Sequence, residues 1–163
     1  MGYMNRRAVL ALLLTLWCGL AWAQFDDADA LKGVKQGKGV VALTTGNPQH
    51  LAGALKVIEK THEGMKKQGV EPDLVLVFMG GAIPYLTRDR KGLPFNELAV
   101  ANGIHEQIKK LHSMGMKTEV CSIALHGRGV APDNVIEPLK VVGNGFISVI
   151  GYQRQGYALL PIP

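Results

Sequence analysis

The sequence predicts an α/β fold, a three-layer α/β/α sandwich with a mainly parallel five-stranded sheet and helices on both faces. Short apolar runs alternate with longer segments whose apolar residues recur at helical spacing. No Asn-Gly or Asp-Gly turn joins two strand candidates, as antiparallel hairpins would favour. Apolar residues make up 47% of the 163 residues and charged residues 19%, a balance that excludes a largely disordered chain and suits one domain.

Each element has its own signal. Val40 to Thr44 is a short apolar run, as expected of a strand buried on both faces. Asn47-Pro48 then places a capping side chain before proline at the first helical position. Leu51, Leu55, Ile58, His62 and Met65 share one helix stripe, and Gly69 ends it. Leu74 to Met79 is the second strand, broken by Gly80-Gly81, with a short turn or helix over Ile83 to Leu86. Pro94 starts the next helix, and Leu98, Ala101, Ile104, Ile108 and Leu111 form its apolar face before Gly115. Thr118 to Cys121 is the third strand, and residues 122–128 lead into a glycine-rich turn. Pro132 to Glu137 holds one helical turn, and Lys140 to Val142 is the fourth strand. Asn144 caps the last helix, which carries Phe146, Ile147, Val149, Ile150 and Tyr152 on more than one side. Gly156 stops it, and Tyr157 to Leu160 is the fifth strand.

The N-terminus reads as a targeting segment. Arg6-Arg7, the apolar run Ala8 to Leu16 and Ala21-Trp22-Ala23 have the order of a secretory signal peptide, residues 1–23, cut after Ala23. The run is short for a span of about 20 residues, so no membrane anchor is expected after cleavage. The arginine pair leaves both the general and the twin-arginine export routes open. Residues 24–38 form a flexible polar lead-in, and residues 39–163 the domain. Cleavage lowers the formal charge from +5 to +3 by removing two arginines. Export, that mild charge and the lack of basic clusters interleaved with aromatics argue against nucleic acid as a partner. The expected location is the periplasm or another exported compartment.

Of the two cysteines, Cys18 leaves with the signal and Cys121 stays. Alone, Cys121 is buried and inert, paired between chains, or reactive. In open parallel sheets the ligand crevice lies beyond the carboxyl ends of the strands. Here those ends are Thr44 to Asn47, Met79 to Gly81, and Cys121-Ser122. Thr45, Asn47 and His50 could face that crevice, and Gly80 and Gly81 offer backbone N–H groups. A thiolate is favoured by positive surroundings, which His126 and Arg128 are close enough in sequence to supply. One cysteine and scattered histidines give no metal spacing, so neither metal nor cofactor is expected. The glycines at 127 and 129 lack the third of a dinucleotide fingerprint, and no Gly-x-Ser-x-Gly is present.

In order and spacing, these segments resemble the DsrE/DsrF-like family. The resemblance rests on Thr44-Thr45-Gly46-Asn47-Pro48 with His50-Leu51, Val75 to Gly81, Glu119-Val120-Cys121, Ala124-Leu125 and Gly127-Arg128-Gly129-Val130. Gly145 to Tyr157 resembles the family's exported subgroup. The resemblance implies the α/β/α fold, a trimer or hexamer, and a sulfur relay holding sulfur as a persulfide on a cysteine at a strand end. Cys121 stands at that position with Arg128-Gly129-Val130 downstream. Sulfur donor and acceptor proteins would then be the partners. The family's cytoplasmic pathways do not transfer to a chain with an export signal. The expectation is an exported sulfur-binding or sulfur-transfer protein. The alternative is a non-catalytic oligomeric module binding a small anion in the same crevice. A thiol that forms a disulfide between subunits is a third reading.

Overall fold

Five strands, β1 (Gln36–Leu43), β2 (Glu71–Phe78), β3 (Lys117–Cys121), β4 (Lys140–Val142) and β5 (Ala158–Ile162), form one sheet in the order β4-β3-β2-β1-β5. Every pairing is parallel, so the expected mainly parallel sheet is wholly so. The computed structural model describes residues 26–163, and residues 31–163 form one compact unit. The expected signal peptide lies outside the described residues. Among those described, no helix is long and apolar enough to cross a membrane.

Four helices join the strands: α1 (Pro48–Lys67), α2 (Leu98–Ser113), α3 (Ser122–Gly127) and α4 (Gly145–Arg154). Asn47 caps α1 as expected, its side-chain oxygen accepting the His50 N–H at 2.9 Å. Lys66 and Lys67 stand at its C-terminal end, where the helix dipole favours cations.

Strand alternation divides the core. Val41, Leu43, Leu74, Leu76, Phe78 and Val120 face α1, α2 and the 3₁₀ segment Gly80–Leu86, forming the larger cluster with Leu51, Leu55, Ile104 and Ile108. Val40, Val75, Val77, Met79 and Cys121 face the other way and are covered by Val149 and Tyr157. Burying one such aliphatic side chain contributes about 1.5–3 kcal/mol. Among the described residues α4 is the one helix centred on the second face, and Phe146, Ile147 and Ile150 on its outer side are exposed.

The boundaries differ from the sequence expectation in informative places. β1 starts at Gln36, within the expected lead-in, because Gln36, Gly37 and Lys38 pair with Glu71, Pro72 and Asp73 through the backbone. Ladder bonds do not require apolar side chains, so hydrophobicity undercounts strand length at a solvated end. Residues 122–127, expected to lead into a turn, form α3. Pro94 precedes a 3₁₀ turn, Phe95–Glu97, before α2 begins at Leu98.

Candidate functional site

Cys121 ends β3 and is the N-cap residue of α3. Its side chain is on the α4 face and is only 5% exposed. Met79 stands beside it, because Phe78 pairs with Val120 and the next residues on both strands turn to the same face. Gly145, the first residue of α4, closes over both. A Cβ built there would lie 2.5 Å from Met79 Sδ and 3.1 Å from Cys121 Cβ, so glycine lets α4 start here without moving the Met79 side chain. Two side chains hold that start in place. The Ser122 hydroxyl donates to the Gly143 carbonyl at 2.7 Å, and Asn144 accepts the Phe146 N–H at 2.9 Å. The thiol therefore lies beside the first turn of a ten-residue helix, the end that favours negative charge.

The other candidates group elsewhere. His126 and Arg128 are exposed, and neither is hydrogen-bonded to Cys121 among the described residues. His126 lines a cleft of about 530 Å³ with Ser122, Leu125 and Pro132. Arg128 lines another, about 500 Å³, with Thr87, Asp89, Lys91 and Asn134. Cys121 lines neither of these clefts.

Thr45, Asn47 and His50 do come together, as a helix start. The Asn47 N–H donates to Thr45 Oγ1 at 3.3 Å, and Thr45 Oγ1 lies 3.4 Å from His50 Nδ1. His50 also borders an apolar groove of about 640 Å³ with Val57, Ile58, Leu160 and Ile162, to which Cys121 does not contribute. Gly81 is not the free donor expected of it. Its N–H donates to the Thr44 carbonyl at 2.9 Å, and a Cβ there would stand 2.6 Å from Gly46 Cα and N. Gly81 is thus a backbone contact between the β1 and β2 loops. Gly80 is exposed and left-handed, φ 55°.

A buried network supports this end of the sheet. The Tyr85 hydroxyl lies 3.1 Å from both the Gly46 carbonyl and a Glu97 carboxylate oxygen. Burial, then Glu97, pushes that phenol above its ordinary value. His105, in α2, is buried and stands 2.9 Å from the Tyr85 carbonyl through Nε2. That nitrogen must donate to the carbonyl, which leaves Nδ1 to accept from Arg90 at 3.3 Å. Burial holds His105 below its ordinary value, with Arg90 and Lys109 acting in the same direction and the Tyr85 carbonyl and Glu106 against it. The unfolded chain then binds the extra proton first. Stability from this group is complete above about pH 6.5 and is lost as pH falls below it. His62, buried on α1, is lowered chiefly by burial and adds the same sign. Thermal melts between about pH 7.5 and 5.5 are expected to show Tm falling with acidification, and a shallower fall in His105→Gln.

Met79, Gly145 and Ser122 entered the sequence reading only as ends of segments, not as site residues. The available signal was register, which becomes visible only once β2 and β3 pair.

Residues 38–162 match the family model described as the DsrE/DsrF-like family. The fold is similar to that of a protein of unknown function, MTH1491, from Methanobacterium thermoautotrophicum, at 15% identity and a TM-score of 0.62. It is similar also to the ychN protein from E. coli, at 19% identity and a TM-score of 0.56. Each similarity covers 77% of this chain and 98% of the other. At these identities the structures speak for the fold alone. No curated protein matches in sequence. The all-parallel sheet, the cysteine at a strand end and a match spanning nearly every element lead to one assignment: the chain belongs to the DsrE/DsrF-like family.

Proposed function

We propose that this protein is an exported sulfur carrier that holds sulfane sulfur as a persulfide on Cys121. Membership supports a sulfur-relay role at the level of the family. The observation that carries the finer reading is the placement of Cys121 at the C-terminal edge of a parallel sheet, against the first turn of α4. An anionic sulfur there meets the positive end of a helix.

In loading, the Cys121 thiolate attacks the terminal sulfur of a donor persulfide. The new Sγ–S bond forms as the donor's own S–S bond breaks, and the donor leaves as a thiolate with the electron pair. In delivery, an acceptor thiolate attacks the terminal sulfur and Cys121 leaves as a thiolate. Both steps are thiol–disulfide-type exchanges and need no outside oxidant.

The partners in this reading are a donor, an acceptor and further copies of the chain. Phe146, Ile147 and Ile150 on the outer side of α4 are 68%, 67% and 61% exposed. A cluster of this kind marks an interaction surface, and assembly into a trimer or hexamer would cover it. The residues 1–23 would direct export.

The near-complete burial of Cys121 favours a second reading, a binding module in which the thiol is structural. Intact-mass measurement of the reduced mature protein after exposure to polysulfide separates the two. The carrier gains sulfur mass that reductant removes, and Cys121→Ser gains none. No adduct, with Cys121 refusing alkylation until the protein unfolds, would overturn the carrier reading.

A further inference from the structure

α4 covers Cys121 but meets the sheet along a narrow stripe. Its buried residues are Gly145 and Val149, while Phe146, Ile147 and Ile150 are exposed. The next position on the buried stripe is Tyr152. Its ring packs against the second core cluster, and its hydroxyl donates to Glu119 Oε1 at 2.9 Å. Burial, then Glu119, pushes that phenol up to about 12, so it remains a donor at neutral pH.

Glu119 stands two residues before Cys121 on β3, on the same face, and is 7% exposed. Its Oε2 is enclosed and has no partner among the described residues. Without the Tyr152 hydroxyl, neither oxygen of this buried carboxylate would have a side-chain donor among them, which is costly. The Tyr152 ring is itself held. It meets the Tyr157 ring edge-on at 5.1 Å, and Lys117 Nζ lies 5.8 Å from the centre of each. The Tyr157 hydroxyl donates to Asp73 at 2.6 Å. The two ends of α4 are thus attached differently. Its first residue rests on Met79 and Cys121, and its C-terminal end is tied by a hydrogen bond to a carboxylate.

We propose that Tyr152 is a positioning residue whose hydrogen bond to Glu119 fastens α4 over Cys121 and sets how readily the thiol is reached. At 5% exposure, Cys121 meets a reagent or a sulfur donor only after its cover moves. Breaking the Tyr152–Glu119 bond leaves α4 held by Val149 and the contacts of its first turn. The inference rests on the carrier reading for its biological purpose, but its test does not.

That test is the rate at which iodoacetamide alkylates Cys121 in the reduced mature protein under native conditions. Tyr152→Phe keeps the ring and removes the donor. Its rate is expected to rise roughly ten- to a hundredfold, the effect of one hydrogen bond to a charged group. Glu119→Gln keeps an acceptor for Tyr152, so a smaller rise is expected, and it answers the same question if Tyr152→Phe does not fold. Lifting one helix exposes little surface, so the raised rate is expected to vary weakly with urea below the unfolding transition. A rate unchanged from the parent's overturns the proposal. So does a rise that steepens with urea as global unfolding does, since Tyr152 would then act through stability alone. Polysulfide separates this inference from the carrier reading: fast alkylation of Tyr152→Phe without any gain of sulfur mass supports the fastening and removes the carrier.

Discussion

Gly81→Ala is expected to lower stability by about 3 kcal/mol, or roughly 10 °C in Tm. The new methyl group would lie 2.6 Å from Gly46 Cα and N and 2.9 Å from the Thr44 carbonyl oxygen. These are backbone atoms, so no side-chain rotation relieves the contact. The loops after β1 and β2 must separate, which strains the Gly81 N–H to Thr44 carbonyl bond and the Tyr85 contact with Gly46. Gly103→Ala is the control. Gly103 is exposed in the middle of α2 with nothing near its missing Cβ, so alanine there is expected to stabilise by about 0.5–1 kcal/mol. Thermal unfolding of both variants checks the pair. Equal melting temperatures for Gly81→Ala and the parent would show that the loops separate freely.

Met79→Ala is expected to raise the alkylation rate of Cys121 by about tenfold or more under native conditions, tenfold being what a reduction of about 1.4 kcal/mol in opening free energy produces. Met79 and Gly145 close over the thiol, and Met79 is itself only 6% exposed. A methionine has three rotatable bonds and can swing where a branched residue cannot. Its truncation removes the cover while leaving Cys121 in place. The same change leaves a cavity and costs about 2–5 kcal/mol, so rates are compared well below both melting temperatures. An unchanged rate would mean that α4, rather than Met79, controls access. This result bears on the carrier reading directly, since a persulfide needs room for one more sulfur beside Sγ.

Much of the fold was legible because its signals are local. Asn47-Pro48 starts a helix by capping chemistry that involves neighbouring residues only. Leu51, Leu55 and Ile58 follow a helical stripe, and the Val- and Leu-rich runs at 40–43 and 74–78 are those of strands buried on both sides. The position of Cys121 at a strand end was equally readable, because the strand's apolar pattern stops there. His126 and Arg128 show where such reasoning ends. Nearness in sequence suggested nearness to the thiol, whereas each borders a cleft that Cys121 does not line. Gly81 is a similar case: glycine was read as an open N–H, and the fold uses it to let two loops touch.

The class of fold, the succession of strands along the chain, the family and the one cysteine of the domain were legible from residue order alone. These depend on periodicity, capping and residue order, which are properties of short segments. Which strands are neighbours, and therefore which side chains share a face, emerges only on folding. Register set Met79 beside Cys121, put Gly145 above both, and left Glu119 with one oxygen lacking a donor among the described residues. The residues involved lie far apart along the chain, and no local preference specifies their meeting. It follows from packing one helix, α4, across three strands whose alignment is fixed by the whole sheet.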